Sequence, residues 1–263
     1  MESIPLPSKI SVNLDKDNEF KGSLVIEPLY PGYGPTIANS LRRVLLSSLP
    51  GAAISAFKIK GVTHEFSSLD YVKEDVVDIS LNLKRVNLKS HSDEPVHLIL
   101  KASGEKIVTA GDIEPNSDVE IANPDQPILT LTDKAADIEI SLWVKRGRGY
   151  ETIEARKNEE LEVNAISVDS IFTPIRQVGY QVDNIRVGDR TDFDKVIMEI
   201  ETNKTISVEE ALKISANILS EHFKVIADFS GGAEDLAAGA DDVLESDSAE
   251  AEENEDNKED KDE

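Results

Sequence analysis

Apolar and polar residues alternate along much of the chain, and this period of two predicts β-strands. The run at residues 20–27 is one example. A second run, residues 77–86, would place on one face Val77, Ile79, Leu81 and Leu83. The same alternation recurs at residues 96–102, 127–132, 137–145, 178–187 and 193–202. Because Asn, Pro, Asp and Gly turns separate these short, half-polar runs, we expect them to pair antiparallel.

A helical period replaces the alternation near the end, at residues 205–229. Ser207 followed by Glu210 is a capping box, and Gly231-Gly232 would end the helix. Two neighbouring apolar stripes comprise Val208, Leu212, Leu219, Phe223 and Ile226, and Ala211, Ile214, Ile218 and Val225. Together they are wider than one core requires. This favours two burial partners, the chain's own sheet and another helix from a second copy, although a deeply buried monomeric helix fits the pattern equally well.

An earlier helix is predicted between Gly34 and Pro50, with Pro35 in its first turn. Its apolar face comprises Ile37, Leu41, Val44, Leu45 and Ser48, and its opposite face carries Asn39, Arg42, Arg43 and Leu46. An exposed Leu between arginines is typical of a protein interface, because Arg loses its hydration more easily than Lys.

A strand, a Gly-Tyr-Gly turn and a helix follow one another here, which raises the possibility of a phosphate-binding loop. Three features disfavour it. Ile37 stands where a dinucleotide fingerprint has its third glycine, and the next strand ends in Lys60-Gly61 rather than an acidic residue. A Gly-Lys-Ser/Thr sequence is absent, and Pro35 lacks an amide that could hold phosphate. We therefore interpret Gly32 and Gly34 as turn residues.

Charge and composition narrow the function classes. The net charge is −24, and residues 233–263 alone contain 15 acidic and 2 basic residues. Such a block cannot bury a core, so we expect residues 231–263 to be a disordered acidic tail, either solvating or docking on a basic partner. The excess of acidic over basic residues also disfavours DNA binding by the chain itself, because DNA is negatively charged. The chain has no cysteine and no apolar run of membrane-spanning length, and we expect it in the cytoplasm.

Candidate catalytic chemistry is sparse. The four histidines are scattered without metal-ligand spacing. Asp192 and Asp194 stand two apart, as in some magnesium-binding pairs, but we favour a turn-and-cap role for them. On composition and spacing alone, the chain is a soluble α+β protein that binds other proteins and has no evident active site.

Four blocks of sequence add a resemblance. They are residues 27–51 (EPLYPGYGPTIANSLRRVLLSSLPG), 61–84 (GVTHEFSSLDYVKEDVVDISLNLK), 147–150 (GRGY) and 169–212, which begins DSIFTPIRQVGYQVDNIRV. In this order the blocks resemble the alpha subunits of bacterial DNA-directed RNA polymerase, in their amino-terminal domain. The resemblance covers roughly residues 5–230.

The resemblance implies a specific architecture. It implies a homodimer whose dimerisation subdomain, two main helices on a sheet, is formed by residues 1–50 and 169–230. A mainly antiparallel β insert, residues 51–168, would interrupt it. The family uses its two main helices to cross those of the second copy. Residues implied at this dimer interface are Tyr33, Ile37, Val44, Leu219, Phe223 and Ile226.

The resemblance also implies partners. The dimer would be a non-catalytic platform on which the large beta and beta-prime subunits assemble for transcription, with omega and sigma in the complex, no cofactor, and DNA reached only through the polymerase. Implied beta contacts are Asn39, Arg42, Arg43, Leu46, His64, Glu65 and Phe66. Implied beta-prime contacts lie on the expected strand at residues 81–84 and are Leu81, Asn82 and Lys84.

Two departures from the family pattern limit what carries over. Pro35 and Ala38 stand where the family usually has His and Gly. The family normally continues into a helical domain that binds upstream promoter DNA, whereas this sequence continues into the acidic tail, so that role is not expected here. The alternative function is a free-standing dimeric regulator that mimics the subunit by occupying its partners.

Overall fold

The computed structural model describes residues 4–15, 18, 20–156 and 162–229. Within them, helices combine with antiparallel strands, which confirms the α+β fold class. The helices are α1 (Tyr33–Ser47), α2 (Val76–Leu83) and α3 (Val208–Ala227). No helix in this described part is long and apolar enough to cross a membrane.

The strands confirm all but one of the alternating runs. In chain order they are β1 (Lys9–Leu14), β2 (Lys21–Leu29), β3 (Pro50–Ile59), β4 (Leu88–Ser90), β5 (Val96–Ser103), β6 (Lys106–Thr109), β7 (Val119–Ile121), β8 (Pro127–Leu131), β9 (Asp137–Arg148), β10 (Tyr150–Glu151), β11 (Ile166–Ser167), β12 (Ser170–Ile171), β13 (Ile175–Val187) and β14 (Arg190–Thr202). The predicted antiparallel pairing is also confirmed.

One core, the helix-sheet core, joins α1 and the start of α3 to a four-stranded sheet of order β1-β2-β14-β13. Its central side chains come from β2, β14 and the two helices: Leu24, Ile26, Leu41, Leu45, Val196, Met198, Val208 and Ala211. On the predicted apolar face of α1, Leu41 and Leu45 are buried, whereas Ile37, Val44 and Ser48 are half-buried. The helical spacing of α1 therefore fixes which side faces the sheet.

A second core, the strand-rich core, is built from the segment between these elements. A sheet of order β5-β9-β3-β4-β7, with β11 added beside β3, packs with the β6-β8 pair and α2. The alternation along β5 and β9 directs every second side chain inward, including Leu98, Leu100, Ile138, Ile140 and Leu142. The period of two and the first residue of each strand follow the sequence pattern, whereas both strands continue past the predicted ends at residues 102 and 145.

Phe172 lies against a pair of glycines where β3 and β9 run side by side. Gly51 and Gly147 are register partners, and Phe172 is buried beside them. A Cβ on Gly51 would lie 1.8 Å from the Phe172 carbonyl oxygen, and a Cβ on Gly147 would lie 2.6 Å from the Phe172 ring. Only glycine fits at either position, because any side chain would overlap Phe172.

The strand predicted at residues 77–86, including the expected strand at residues 81–84, is wrong. The chain forms α2 there, and its buried residues are Val76, Ile79 and Leu83, at helical rather than strand spacing. The Asp75 side chain accepts a hydrogen bond from the Asp78 N–H at 2.7 Å and caps the first turn. Two residues assigned to the predicted inner face, Val77 and Leu81, are exposed as a result.

Helix α3 confirms its predicted start. The Ser207 hydroxyl oxygen accepts from the Glu210 N–H at 3.2 Å. The helix ends at Ala227, whereas its predicted stop, Gly231-Gly232, and the acidic tail lie outside the described residues. By its internal contacts the chain divides into Met1–Leu219 and Ser220–Glu263, so the last two turns of α3 belong to the second unit.

Candidate protein-binding surfaces

The Gly-Tyr-Gly turn before α1 is occupied by the chain's own carboxylate. Asp194 Oδ2 accepts hydrogen bonds from the Gly32 and Gly34 N–H groups, each at 2.9 Å. Gly32 adopts φ +85°, and a Cβ on Gly34 would lie 2.9 Å from the same oxygen. The glycines are therefore needed for the turn and for the close approach of Asp194. The amides that could have held a phosphate already bind this carboxylate.

The two aspartates of the suspected metal pair have separate roles. Asp194 is buried within β14 and accepts hydrogen bonds from the turn before α1, so it caps a distant turn and not, as predicted, a local one before the strand. Asp192 instead forms an exposed pair with Arg190, at 2.7 Å and 3.0 Å, and this arginine lowers the pKa of Asp192. The described residues contain no cluster of three or more His, Asp or Glu side chains able to hold a metal ion.

Removing the Asp194 carboxylate should destabilise the fold. Asp194→Ala leaves two N–H groups at the start of α1 without an acceptor, at a cost of about 2–3 kcal/mol, or a fall of several degrees in the thermal midpoint. Asp192→Ala is the matched control, because its exposed ion pair contributes less than about 1 kcal/mol. Thermal unfolding of both variants measures the difference. Equal midpoints for the two variants would contradict the capping role.

The outer face of α1 holds the implied beta contacts. Asn39, Arg42 and Arg43 are exposed as predicted. The Arg42 Nε donates to the Val178 carbonyl oxygen at 3.3 Å, whereas the Arg43 side chain has no hydrogen bond or ion pair within the described residues. The prediction that Leu46 points away from the core is wrong, because Leu46 is half-buried against the helix-sheet core. Arg43 is therefore the unengaged cation of this face.

The other implied beta contacts lie in the turn after β3. His64, Glu65 and Phe66 are exposed, and the Phe66 side chain is 80% accessible. The Ser67 N–H donates to the His64 carbonyl oxygen at 3.1 Å, and the Ser67 hydroxyl lies 3.2 Å from His64 Nδ1. These contacts close the turn and leave the phenyl ring in solvent.

The implied beta-prime contacts differ in what they do within the chain. Leu81 is exposed on α2. The Asn82 Nδ2 donates to the Ile128 carbonyl oxygen at 2.9 Å, and the Lys84 Nζ lies 3.1 Å from Asp169 Oδ2. Asn82 and Lys84 therefore attach α2 to neighbouring segments.

Lys84 is one of the groups that keep Asp169 ionised. The Ile153 N–H donates to Asp169 Oδ1 at 3.0 Å, and this hydrogen bond, followed by the Lys84 ammonium, lowers the pKa of Asp169. The carboxylate is thus held in its charged form by groups from two different segments. Lys84 consequently has a structural partner in the free chain.

The implied dimer residues fall into two groups. Tyr33 is partly exposed and stacks edge-on against Tyr30, with ring centroids 6.1 Å apart, while Ile37, Val44 and Leu219 are half-buried. Ile37 and Leu219 pack against the chain's own helix-sheet core.

The second group lies at the end of α3. Phe223 and Ile226 are 60% and 68% accessible. Phe229, also 60% accessible, was missed by the sequence analysis, although its spacing of three from Ile226 was the available signal. These residues, unlike Ile37 and Leu219, have little burial within the single chain.

Comparisons with known proteins agree with the four sequence blocks. A family model described as the RNA polymerase Rpb3/RpoA insert domain matches residues 57–173. The DNA-directed RNA polymerase subunit alpha of Symbiobacterium thermophilum is 48% identical over 230 residues, which cover 88% of this chain and 72% of that protein. The same subunit of Desulforamulus reducens is 49% identical over 225 residues, 86% of this chain and 71% of the relative. The chain therefore belongs to the family of bacterial DNA-directed RNA polymerase alpha subunits.

Proposed function

We propose that this alpha subunit homodimerises and forms the platform on which the beta and beta-prime subunits of RNA polymerase assemble for transcription. Omega and sigma join the same complex, and DNA is reached only through the polymerase in the cytoplasm. Family membership supports this assignment. The observation that carries it is the concentration of exposed apolar side chains at the end of α3.

Four large apolar side chains lie within seven residues there, namely Phe223, Val225, Ile226 and Phe229, each at least 60% accessible. Isolated exposed apolar residues are common on monomers, but a group of this density marks a protein-binding surface. A second copy is the proposed occupant, since the family implies crossed helices at this position. The family also implies Tyr33, Ile37 and Val44 at the dimer interface, and of these Tyr33 is exposed in the single chain.

Arg43 is the proposed centre of the beta contact. Its guanidinium projects from α1 without a partner in the described chain, so binding beta would break no internal contact. Asn39 and the exposed turn containing His64, Glu65 and Phe66 are the proposed flanks. Arg42 and Leu46 have internal contacts, with the Val178 carbonyl oxygen and with the helix-sheet core, and are proposed as supporting residues of the same beta contact.

The beta-prime contact is proposed at the exposed side of α2. Leu81 supplies an apolar side chain, and Asn82 and Lys84 hold α2 in position through Ile128 and Asp169. The helix, rather than a strand, would therefore present this surface.

The two cores support the proposed division into subdomains. The strand-rich core draws its buried residues from Ala52 to Val168, and the helix-sheet core draws its own from before and after that range. We infer that residues 51–168 form the insert and that residues 1–50 and 169–230 form the dimerisation subdomain.

No chemical step is assigned to this chain. It supplies binding surfaces, and nucleotidyl transfer is proposed to occur in the large subunits. Capture of the tagged full chain from its cells should recover beta, beta-prime and RNA synthesis, whereas the purified chain alone should have none. Recovery of the chain without the large subunits would refute the proposed function.

A further inference from the structure

A cavity with a basic lining lies beside the end of α2 and the start of β13. Its volume is about 500 Å³, within the range of small-molecule sites. Three cationic residues line it, Lys84, Arg85 and Arg176, and no Asp or Glu is among the described residues of its wall. In a chain of net charge −24, this is a local reversal of sign that attracts anions.

Two of the three cations are free to bind a ligand. The Lys84 ammonium is paired with Asp169 at 3.1 Å. Arg85 and Arg176 are exposed, and their side chains have no hydrogen bond or ion pair within the described residues. Both guanidinium groups can therefore donate to an entering anion without breaking an internal contact.

A β-bulge sets the position of Arg176. Ile175 pairs with Thr202, and Gln177 pairs with the preceding residue, Glu201, so Arg176 has no register partner on β14. A bulge turns the side chain of its extra residue out of the regular alternation, and bulges are common beside functional sites. This irregularity of β13 accounts for the presence of Arg176 in the cavity wall.

Asn123 fixes the backbone that carries Arg85. Its Nδ2 donates to the Arg85 carbonyl oxygen at 2.9 Å, and its Oδ1 accepts from the Asn87 N–H at 2.7 Å. The Asn87 Nδ2 in turn donates to the Asn203 carbonyl oxygen at 2.9 Å. Asn87 and Asn203 both line the cavity, so hydrogen bonds within the chain hold its wall in shape. A wall that is already ordered costs less conformational entropy when a ligand binds.

Apolar side chains form another part of the wall. Val86 and Ile175 are buried, and Ile171 is 49% accessible. Free cations beside apolar surface suit a ligand that has an anionic group at one end and a less polar body at the other.

We propose that this cavity binds a small molecule that carries a diphosphate group, with the diphosphate between Arg85 and Arg176 and the rest of the molecule against Ile171. Guanidinium groups match phosphate oxygens in geometry and charge, and a diphosphate supplies enough charge for both. The acidic side chain of a protein partner is the less favoured occupant, because one carboxylate would leave one arginine unpaired and most of the cavity empty. This inference goes beyond the proposed function and does not depend on it.

Calorimetric titration of the full chain with pyrophosphate and with ADP tests the proposal, at constant ionic strength because salt screens such contacts. Each probe should bind once per chain, and ADP at least as tightly as pyrophosphate. Arg85→Gln/Arg176→Gln removes a charge-assisted contact at each position and should weaken binding about a hundredfold. Both arginines are exposed, so the thermal midpoint should not change.

Arg186→Gln is the matched control. It removes an exposed arginine ten positions along the same strand, roughly 33 Å away, and should leave the affinity for both probes unchanged. An equal loss of affinity in Arg186→Gln would show a general effect of charge and overturn the proposal.

Three other results would also overturn it. The first is that neither probe binds the unaltered chain, including the case in which the double variant instead binds purified beta-prime less tightly, which would assign the cavity to a protein partner. The second is unchanged affinity in the double variant, which would place the anion elsewhere. The third is a thermal midpoint that falls together with the affinity, which would assign the two arginines to folding.

Discussion

The double variant Phe223→Asp/Ile226→Asp is expected to be monomeric at concentrations where the unaltered chain is a dimer. Burying one such side chain contributes about 1.5–3 kcal/mol, and each replacement also places a carboxylate in an apolar interface. Losing both side chains should weaken dimerisation by at least about a hundredfold. Light scattering over a dilution series measures the change directly.

The control tests whether aspartate simply weakens the helix. Lys213 and Asn217 are exposed polar positions on α3, so Lys213→Asp/Asn217→Asp adds two aspartates to the same helix outside the apolar group. This variant should remain dimeric. A dimer of unchanged affinity in Phe223→Asp/Ile226→Asp would place the dimer interface elsewhere.

Arg43→Ala is expected to keep the dimer and to recruit beta poorly. The exposed arginine has no internal partner, so its removal should leave the fold intact. Truncation of an arginine at the centre of an interface costs about 2 kcal/mol or more, which lowers affinity at least about tenfold. Reconstitution with purified beta at limiting concentration measures the yield of the complex between the alpha dimer and beta.

Lys213→Ala provides the comparison for Arg43, because it removes an exposed cation from a helix that is not assigned to beta. It should give the wild-type yield. A wild-type yield with Arg43→Ala would remove this residue from the beta contact.

The error at α2 shows the limit of reading short periodic segments. Apolar residues at positions 77, 79, 81 and 83 fit strand alternation, while those at 76, 79 and 83 fit a helix equally well. Two hydrogen bonds that favour the helix are the Asp75 cap and the tertiary contact of Asn82 with Ile128. The cap was visible in the sequence as an Asp before an apolar run, but the contact across 46 residues was not.

The candidate surfaces were predictable to different degrees. Helical spacing placed Arg43 outside and Leu41 inside, because local periodicity sets the orientation of a helix on its sheet. It failed for Leu46, which lies at the edge of the apolar face and is covered by the helix-sheet core. The hydrogen-bond partner of the Gly32–Gly34 turn could not be predicted from the sequence, for a different reason. Asp194 follows it by 160 residues, so only the folded sheet brings the two together.

The long elements were the most predictable part of the fold. Strands β9, β13 and β14 and helix α3 each contain enough periods to distinguish a period of two from one of 3.6. The backbone conformation of Tyr71, with φ +62°, was the least predictable, because nothing in its residue type indicates a left-handed conformation.

The stoichiometry of the assembled complex tests the platform proposal most directly. Native mass measurement of the complex formed by the purified chain with beta and beta-prime should give two copies of this chain for one copy of each large subunit. The same complex should not form with the monomeric Phe223→Asp/Ile226→Asp variant. A complex that contains a single copy of this chain, or one that forms equally well from the monomeric variant, would contradict the proposal that a dimer is the platform.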